Sequence, residues 1–306
     1  DAIDKGKGKY TPPAGIPELR KAVAAQVSKD LGLNYEPSQV TITTGAKFVL
    51  FSALQTLCNP GDEVIIPAPF WASYTTMVEL AEGTPKIVVC DESVNFKMTA
   101  ELFRKGITSK TKVLLLNSPS NPTGLVYTRE ELNALAEVLR ENPQIAVLSD
   151  DIYNRLVFDG QSVAPHLLHV APDLKDRTVL LNGASKSYAM TGWRVGWGVG
   201  PKNIIETMSN YQSQSVSCAS AISQWATVEA VLNSEQQIKQ TIEILKSRRD
   251  FILNELQSIE GISALTPQGA FYIWMDVKKY LGKKHKGLAL NDTSAMAKAL
   301  LETEMV

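Results

Sequence analysis

Asn182-Gly-Ala-Ser-Lys-Ser-Tyr-Ala-Met-Thr-Gly-Trp-Arg-Val-Gly-Trp197 sets a lysine, an arginine, hydroxyls and glycines between two apolar segments. Thr178 to Leu181 upstream and Val195 to Val199 downstream read as buried strands, because short β-branched and apolar runs bounded by turn residues have that signature. Lys186 then stands just past a strand end. Burial and the nearby Arg194 cation both disfavour its charged form, which lowers its pKa and leaves an amine able to attack a carbonyl. Ser185 and Arg194 are phosphate ligands by type, a hydroxyl donor and a bidentate fork. Schiff-base chemistry beside a phosphate cradle points to pyridoxal phosphate.

Outward from that stretch, strands and helices alternate. Pro17 opens a helix with Leu19, Val23 and Val27 at helical spacing, and Val40 to Thr43 is a β-branched strand. Thr44-Gly-Ala-Lys47 then opens a helix through about Leu57, and a glycine at such a turn lets the Gly45 and Ala46 backbone approach a phosphate. Strands follow at 63–67, 86–89, 112–117 and 145–149, with helices from Pro69–Tyr74 onward, near 100–106 and over 128–140. That order predicts a mostly parallel α/β sheet covered on both faces, with ligands at the C-terminal ends of the strands. Trp71, Asn121, the pair Asp150-Asp151 and Tyr153 all fall at such ends. A carboxylate there can hold a protonated pyridine nitrogen, Asn121 and Tyr153 can reach the ring oxygen, and Trp71 can lie on the ring. From Lys202 the chain reads as largely helical, with a long amphipathic stretch over 237–256, and Gly269 to Asp276 reads as a strand of a smaller domain. His166 and His169 lack accompanying carboxylate or cysteine ligands and read as loop or surface histidines, and the basic run 278–286 as a solvated loop.

The central stretch resembles the S-K…G-W-R-x-G signature of fold-type I pyridoxal-phosphate aminotransferases of the aspartate aminotransferase family. Lys9 to Arg20, Ser118 to Gly124 and Pro267 to Tyr272 extend the resemblance over essentially the whole chain. It implies a large cofactor-binding domain over 1–240 and part of a small α+β domain over 241–306. It also implies a homodimer in which Tyr10 reaches the neighbour's cofactor phosphate. The family's S-D-E-I-Y pattern gives Asp150 the ring-nitrogen role and puts Asp151 at the glutamate position. In the most similar branch, the lysine matching Lys47 recognises the distal carboxylate of dicarboxylic substrates. The implied substrate-binding arginine lies beyond Val306, and the chain reads as truncated at both ends.

Composition narrows the classes. The chain has 306 residues, 44% hydrophobic, with 31 basic against 32 acidic side chains, so it has core-forming capacity and no electrostatic footprint for nucleic acid or anionic lipid. Three scattered cysteines fit free thiols and a cytoplasmic setting, and no run is long enough to span a bilayer. The reaction expected is transfer of the amino group of aspartate or glutamate to a 2-oxo acid through Lys186. Aromatic or kynurenine aminotransferases and C–S lyases on the same scaffold would share the cofactor residues and differ in substrate contacts; a lyase would release pyruvate and ammonia without an acceptor. A PLP-binding transcription regulator would need a DNA-binding module. A non-enzymatic α/β domain would show no visible absorption band.

Overall fold

The computed structural model describes residues 2–306. Seven strands form one sheet: β1 (Val40–Thr43), β2 (Glu63–Ala68), β3 (Thr84–Val89), β4 (Thr111–Asn117), β5 (Ala146–Asp150), β6 (Thr178–Gly183) and β7 (Gly196–Val199), in the order β1-β7-β6-β5-β4-β2-β3. The pairs β2/β3, β2/β4, β4/β5 and β5/β6 are parallel. Only β7 runs against its neighbours, β6 and β1. The reversal matters for position. Because β7 is inverted, Arg194, two residues before it, stands at the same sheet edge as the residues that follow β1, β5 and β6.

Strand alternation assigns the two faces. Leu114 and Leu116 of β4 join a core with helices α1 (Pro17–Leu31), α4 (Ala100–Gly106) and α5 (Arg129–Glu141), while Val113 and Leu115 join a second core with α2 (Ala46–Leu57), α3 (Ser73–Leu80) and α7 (Lys202–Ser215). Helix α5 shows why one such element forms. Thr128 and Glu131 close a capping box at its start, and Leu132, Leu135, Ala136 and Leu139 make the buried stripe. Truncating buried Leu139 to Ala would cost about 2–5 kcal/mol.

Two glycines let α2 dock at the sheet edge. A Cβ on Gly196 would run into the backbone of Gly45 and Ala46, and one on Gly45, whose φ is +95°, would collide with the Arg194 guanidinium. The α2 N-terminus, which has no side-chain cap, thereby sits over the paired ends of β6 and β7, where Gly183 faces Gly196.

After α6 (Leu167–Val170) and α7 come α8 (Ala221–Asn233) and α9 (Glu235–Gln257). The segment expected as a strand over Gly269–Asp276 is a correction: Met275–Asp276 (β9) pairs with Ser263–Ala264 (β8), and Gly269 makes an isolated antiparallel bridge to Val157. The preceding residues spend their backbone groups elsewhere. Gln268 and Gly269 N–H both donate to Gly124 O, Ala270 N–H donates to Leu156 O, and Ala270 adopts φ +57°. This segment is therefore clamped onto the loops after β4 and β5. Residues expected as a loop at 278–286 contain a short turn and the first strand of a hairpin, β10 (Lys284–His285) with β11 (Leu288–Ala289), ahead of α10 (Thr293–Glu304).

Candidate active site

Ala46, Lys47, Trp71, Asn121, Asp150, Tyr153, Ser185, Lys186 and Arg194 line one open cleft with about 850 Å³ of empty space. Gly45 adjoins it through its contact with Arg194. Tyr10 is the expected residue that the chain does not bring there: its side chain is 94% exposed.

The floor of the cleft is a carboxylate at the end of β5. Asp150 is 4% exposed and accepts from the Tyr74 hydroxyl at 2.6 Å and from Ile152 N–H at 3.2 Å. Burial pushes its pKa up to about 7; the hydrogen bonds from Tyr74 and Ile152 pull it back down, and the charge of Asp151 adds to the rise. The Tyr74 phenol, fully buried beside that carboxylate, is held far above its usual titration range and so serves as a donor throughout. Its ring meets Trp71 edge-on, with centroids 5.5 Å apart and planes at 84°. Sequence reasoning missed Tyr74, because an aromatic three residues after a strand-end tryptophan reads as core.

Asp151 faces away from the cleft. Its carboxylate accepts from Ser149 Oγ at 2.7 Å and lies 3.3 Å from His166 Nε2. Since His166 Nδ1 accepts from Leu168 N–H at 3.0 Å, the neutral ring carries its proton on Nε2, toward Asp151 and Ser149. His166 lies in a loop, at the N-cap of α6 (Leu167–Val170), but not at the surface. It is buried at the start of α6 because a carboxylate and a hydroxyl satisfy its ring.

Lys186 follows β6 in a turn, half-buried, and its pKa is lowered by burial first and by the Arg194 charge second. Its Nζ lies 5.3 Å from the centre of the Phe271 ring and 5.9 Å from that of Tyr153. Arg194, in the left-handed region at φ 52°, donates from Nη1 to Thr191 O at 2.7 Å. Its other arm packs over Gly45. On the opposite wall the Lys47 ammonium is 4.7 Å from the Trp71 ring centre and 3.4 Å from Ser73 Oγ. Asn121 is anchored by its own N–H, which donates to Asn117 Oδ1 at 2.8 Å. Buried Tyr153 pairs its hydroxyl with that of Tyr272 at 2.6 Å, and Asn121 lines the same cleft. Phe271 and Tyr272 are the other residues missed; their motif was visible, but their segment read as a strand of another domain.

An amine of reduced basicity, a buried acid, a guanidinium and an uncapped helix N-terminus converge on one edge of a mostly parallel sheet, the place where α/β enzymes hold their ligands. Residues 2–306 match the family model for aminotransferases of class I and II, and the chain belongs to that family. It is 45% identical to the aspartate/prephenate aminotransferase of Cereibacter sphaeroides, over 98% of this chain and 75% of that protein. The crystal structure of the aspartate aminotransferase from Rhizobium meliloti superposes with a TM-score of 0.94 at 42% identity, covering 99% of this chain and 76% of that one. An aspartate aminotransferase from Thermus thermophilus, solved with maleate, gives 0.89 at 39% identity, covering 98% and 75%.

Proposed function

We propose that this aminotransferase moves the amino group of aspartate or glutamate to a 2-oxo acid, using pyridoxal 5′-phosphate attached to Lys186. The observation that carries the reading is the half-buried Lys186 amine, its basicity lowered, in one cleft with Asp150 and Arg194. The residues fit that cofactor. Ser185, the Arg194 guanidinium and the uncapped α2 N-terminus at Gly45 and Ala46 suit a phosphate, in a corner where Gly45 leaves room only for the arginine. Asp150 suits a protonated ring nitrogen, Asn121 and Tyr153 a ring oxygen, and Trp71 a ring face. When bound, the cofactor supplies an aldehyde for the amine and an electron-withdrawing ring.

The chain's own residues supply the rest. Lys186, once the substrate amine had freed it, would be the base within reach of the substrate Cα proton and would carry that proton as an ammonium. Asp150 would be held ionised by a ring N–H, and Tyr74, which donates to Oδ2 of the same carboxylate, would keep it aimed there. Lys47 offers its ammonium to the distal carboxylate of the substrate. The relative solved with maleate, a four-carbon dicarboxylate, supports that choice of substrate, and the relative named for prephenate puts that 2-oxo acid among the acceptors to test. Donor profiling with 2-oxoglutarate should rank aspartate and glutamate above phenylalanine and alanine. Release of pyruvate and ammonia from cystathionine without an acceptor would contradict the reading.

We propose further that two copies share their sites, with Tyr10 reaching the partner's phosphate corner; its 94% exposure in the single chain supports this. Hybrids of Tyr10→Phe and Lys186→Ala chains should then recover activity above the Lys186→Ala parent, and no recovery would count against shared sites. The division into a large unit over 1–240 and part of a smaller one over 241–306 rests on α9, after which, among the described residues, no strand joins the seven-stranded sheet. A cytoplasmic setting is supported by three free cysteines. Among the described residues no helix is long and apolar enough to cross a membrane.

A further inference from the structure

The Tyr153 hydroxyl is hydrogen-bonded to that of Tyr272, which comes from the clamped segment after α9, with the two phenol oxygens 2.6 Å apart; Asn121, from the loop after β4, lines the same cleft. The rings stand edge to face, centroids 5.7 Å apart at 84°, and both line the cleft. The backbone fixes this meeting. Gly269 leaves no room for a Cβ against Leu156 O and Pro119, and Gly124 leaves none against Pro267 and Gly269 O, so the 267–272 segment has one seat on the two loops that carry Asn121 and Tyr153. Either phenol can donate to the other, and a hydroxyl hydrogen reorients by rotation about its C–O bond.

We propose that Tyr272 is a positioning residue that acts through Tyr153, donating its hydroxyl hydrogen to Tyr153 Oη and so directing the Tyr153 hydrogen toward an anionic oxygen in the cleft. Tyr153 has one hydrogen to give. If it gave that hydrogen to Tyr272, it could only accept, and an anion beside it would be repelled. With Tyr272 as donor, the two hydroxyls form a chain ending on the anion, and each bond polarises the next. Asn121 has amide hydrogens of its own and does not need this arrangement. The inference rests on the cofactor reading above, in which the anion is the ring oxygen next to the carbon that Lys186 engages.

The test is a pH titration of the visible absorbance of the cofactor-loaded full chain, in wild type, Tyr153→Phe, Tyr272→Phe and the double variant. Removing a donor leaves more negative charge on the ring oxygen beside the lysine nitrogen, which holds its proton more tightly, so the midpoint rises. Tyr153→Phe should raise it by about 1–2 pH units, the loss of a hydrogen bond to a charged group. Tyr272→Phe, which keeps the ring and its packing, should raise it by about 0.1–0.7 unit, the cooperative share of that bond. In the Tyr153→Phe background it should add nothing. A shift of equal size in both backgrounds marks a displaced segment rather than a relay and overturns the proposal, as does no shift in either. A visible band that is missing in wild type, or that Lys186→Ala leaves unchanged, contradicts the cofactor reading itself.

Discussion

Two neighbouring carboxylates at the end of β5 are buried to nearly the same degree, Asp150 at 4% exposure and Asp151 at 6%, yet they look into different surroundings. Asp150 opens onto the cleft, backed by a phenol and one backbone N–H. Asp151 points into the packed interior, where Ser149 and His166 answer it and His166 is fixed in turn by Leu168 N–H. Burial alone therefore does not mark a working acid. Both carboxylates have a protein partner on each oxygen; the difference lies in where they stand, Asp150 on the wall of the open cleft and Asp151 against Ser149 and His166. A consecutive pair at a strand end divides this way because successive side chains leave the backbone on opposite sides.

The comparison breaks if the two positions behave alike. Asp150→Ala should lower transamination about a hundredfold or more, since a charge-assisted hydrogen bond contributes about 1.5–3 kcal/mol and the loss of a protonated ring adds to it. Asp151→Ala should change the rate less than tenfold and instead lower unfolding free energy by about 1–3 kcal/mol, the cost of leaving buried polar partners unmatched. Equal kinetic losses would remove the distinction. Next in size is the opposite wall of the cleft. Lys47→Ala should lower the aspartate-to-phenylalanine ratio of kcat/KM about tenfold to a hundredfold, and an unchanged ratio would take the distal-carboxylate role away from Lys47.

Much of this was legible in the sequence, and the reasons are local. The strands and the residues at their ends follow from short apolar runs closed by Gly, Pro and Asn, so Trp71, Asn121, Asp150, Tyr153 and Lys186 could be set at one edge before any contact was known. What escaped depends on partners far along the chain. Tyr74 reads as core until Asp150, 76 residues away, turns out to accept from it. His166 reads as exposed until Asp151 and Ser149 are seen to satisfy its ring. Gly269–Asp276 reads as a strand, but the hydrogen bonds to Gly124 and Leu156 clamp its start beside the cleft and carry Phe271 and Tyr272 with it.

Two smaller effects sharpen the account of Asp150. Tyr74→Phe removes a donor to the carboxylate and should raise the Asp150 pKa in the cofactor-free chain by about one unit, read by carboxyl NMR. A pKa that stays put would mean that the 2.6 Å contact does not tune the acid. The second effect is on stability. The folded Asp150 pKa of about 7 lies above the unfolded value of 3.8, so the folded cofactor-free chain holds this proton more firmly. Its contribution is full below about pH 4 and is lost as the pH rises toward 7. Asp150→Asn should flatten that part of the unfolding free-energy profile, measured in urea at pH 5 and pH 7, and an identical slope in wild type and variant would contradict the raised pKa.

Every role assigned around the cleft depends on Lys186 as the attachment point, and borohydride reduction of the full-length protein followed by peptide mass mapping tests it most directly. One cofactor mass is expected on the peptide containing Lys186, and in Lys186→Ala no fixed cofactor, no visible band and almost no transamination. A reducible covalent link on another residue, or near-normal turnover in Lys186→Ala, would contradict it.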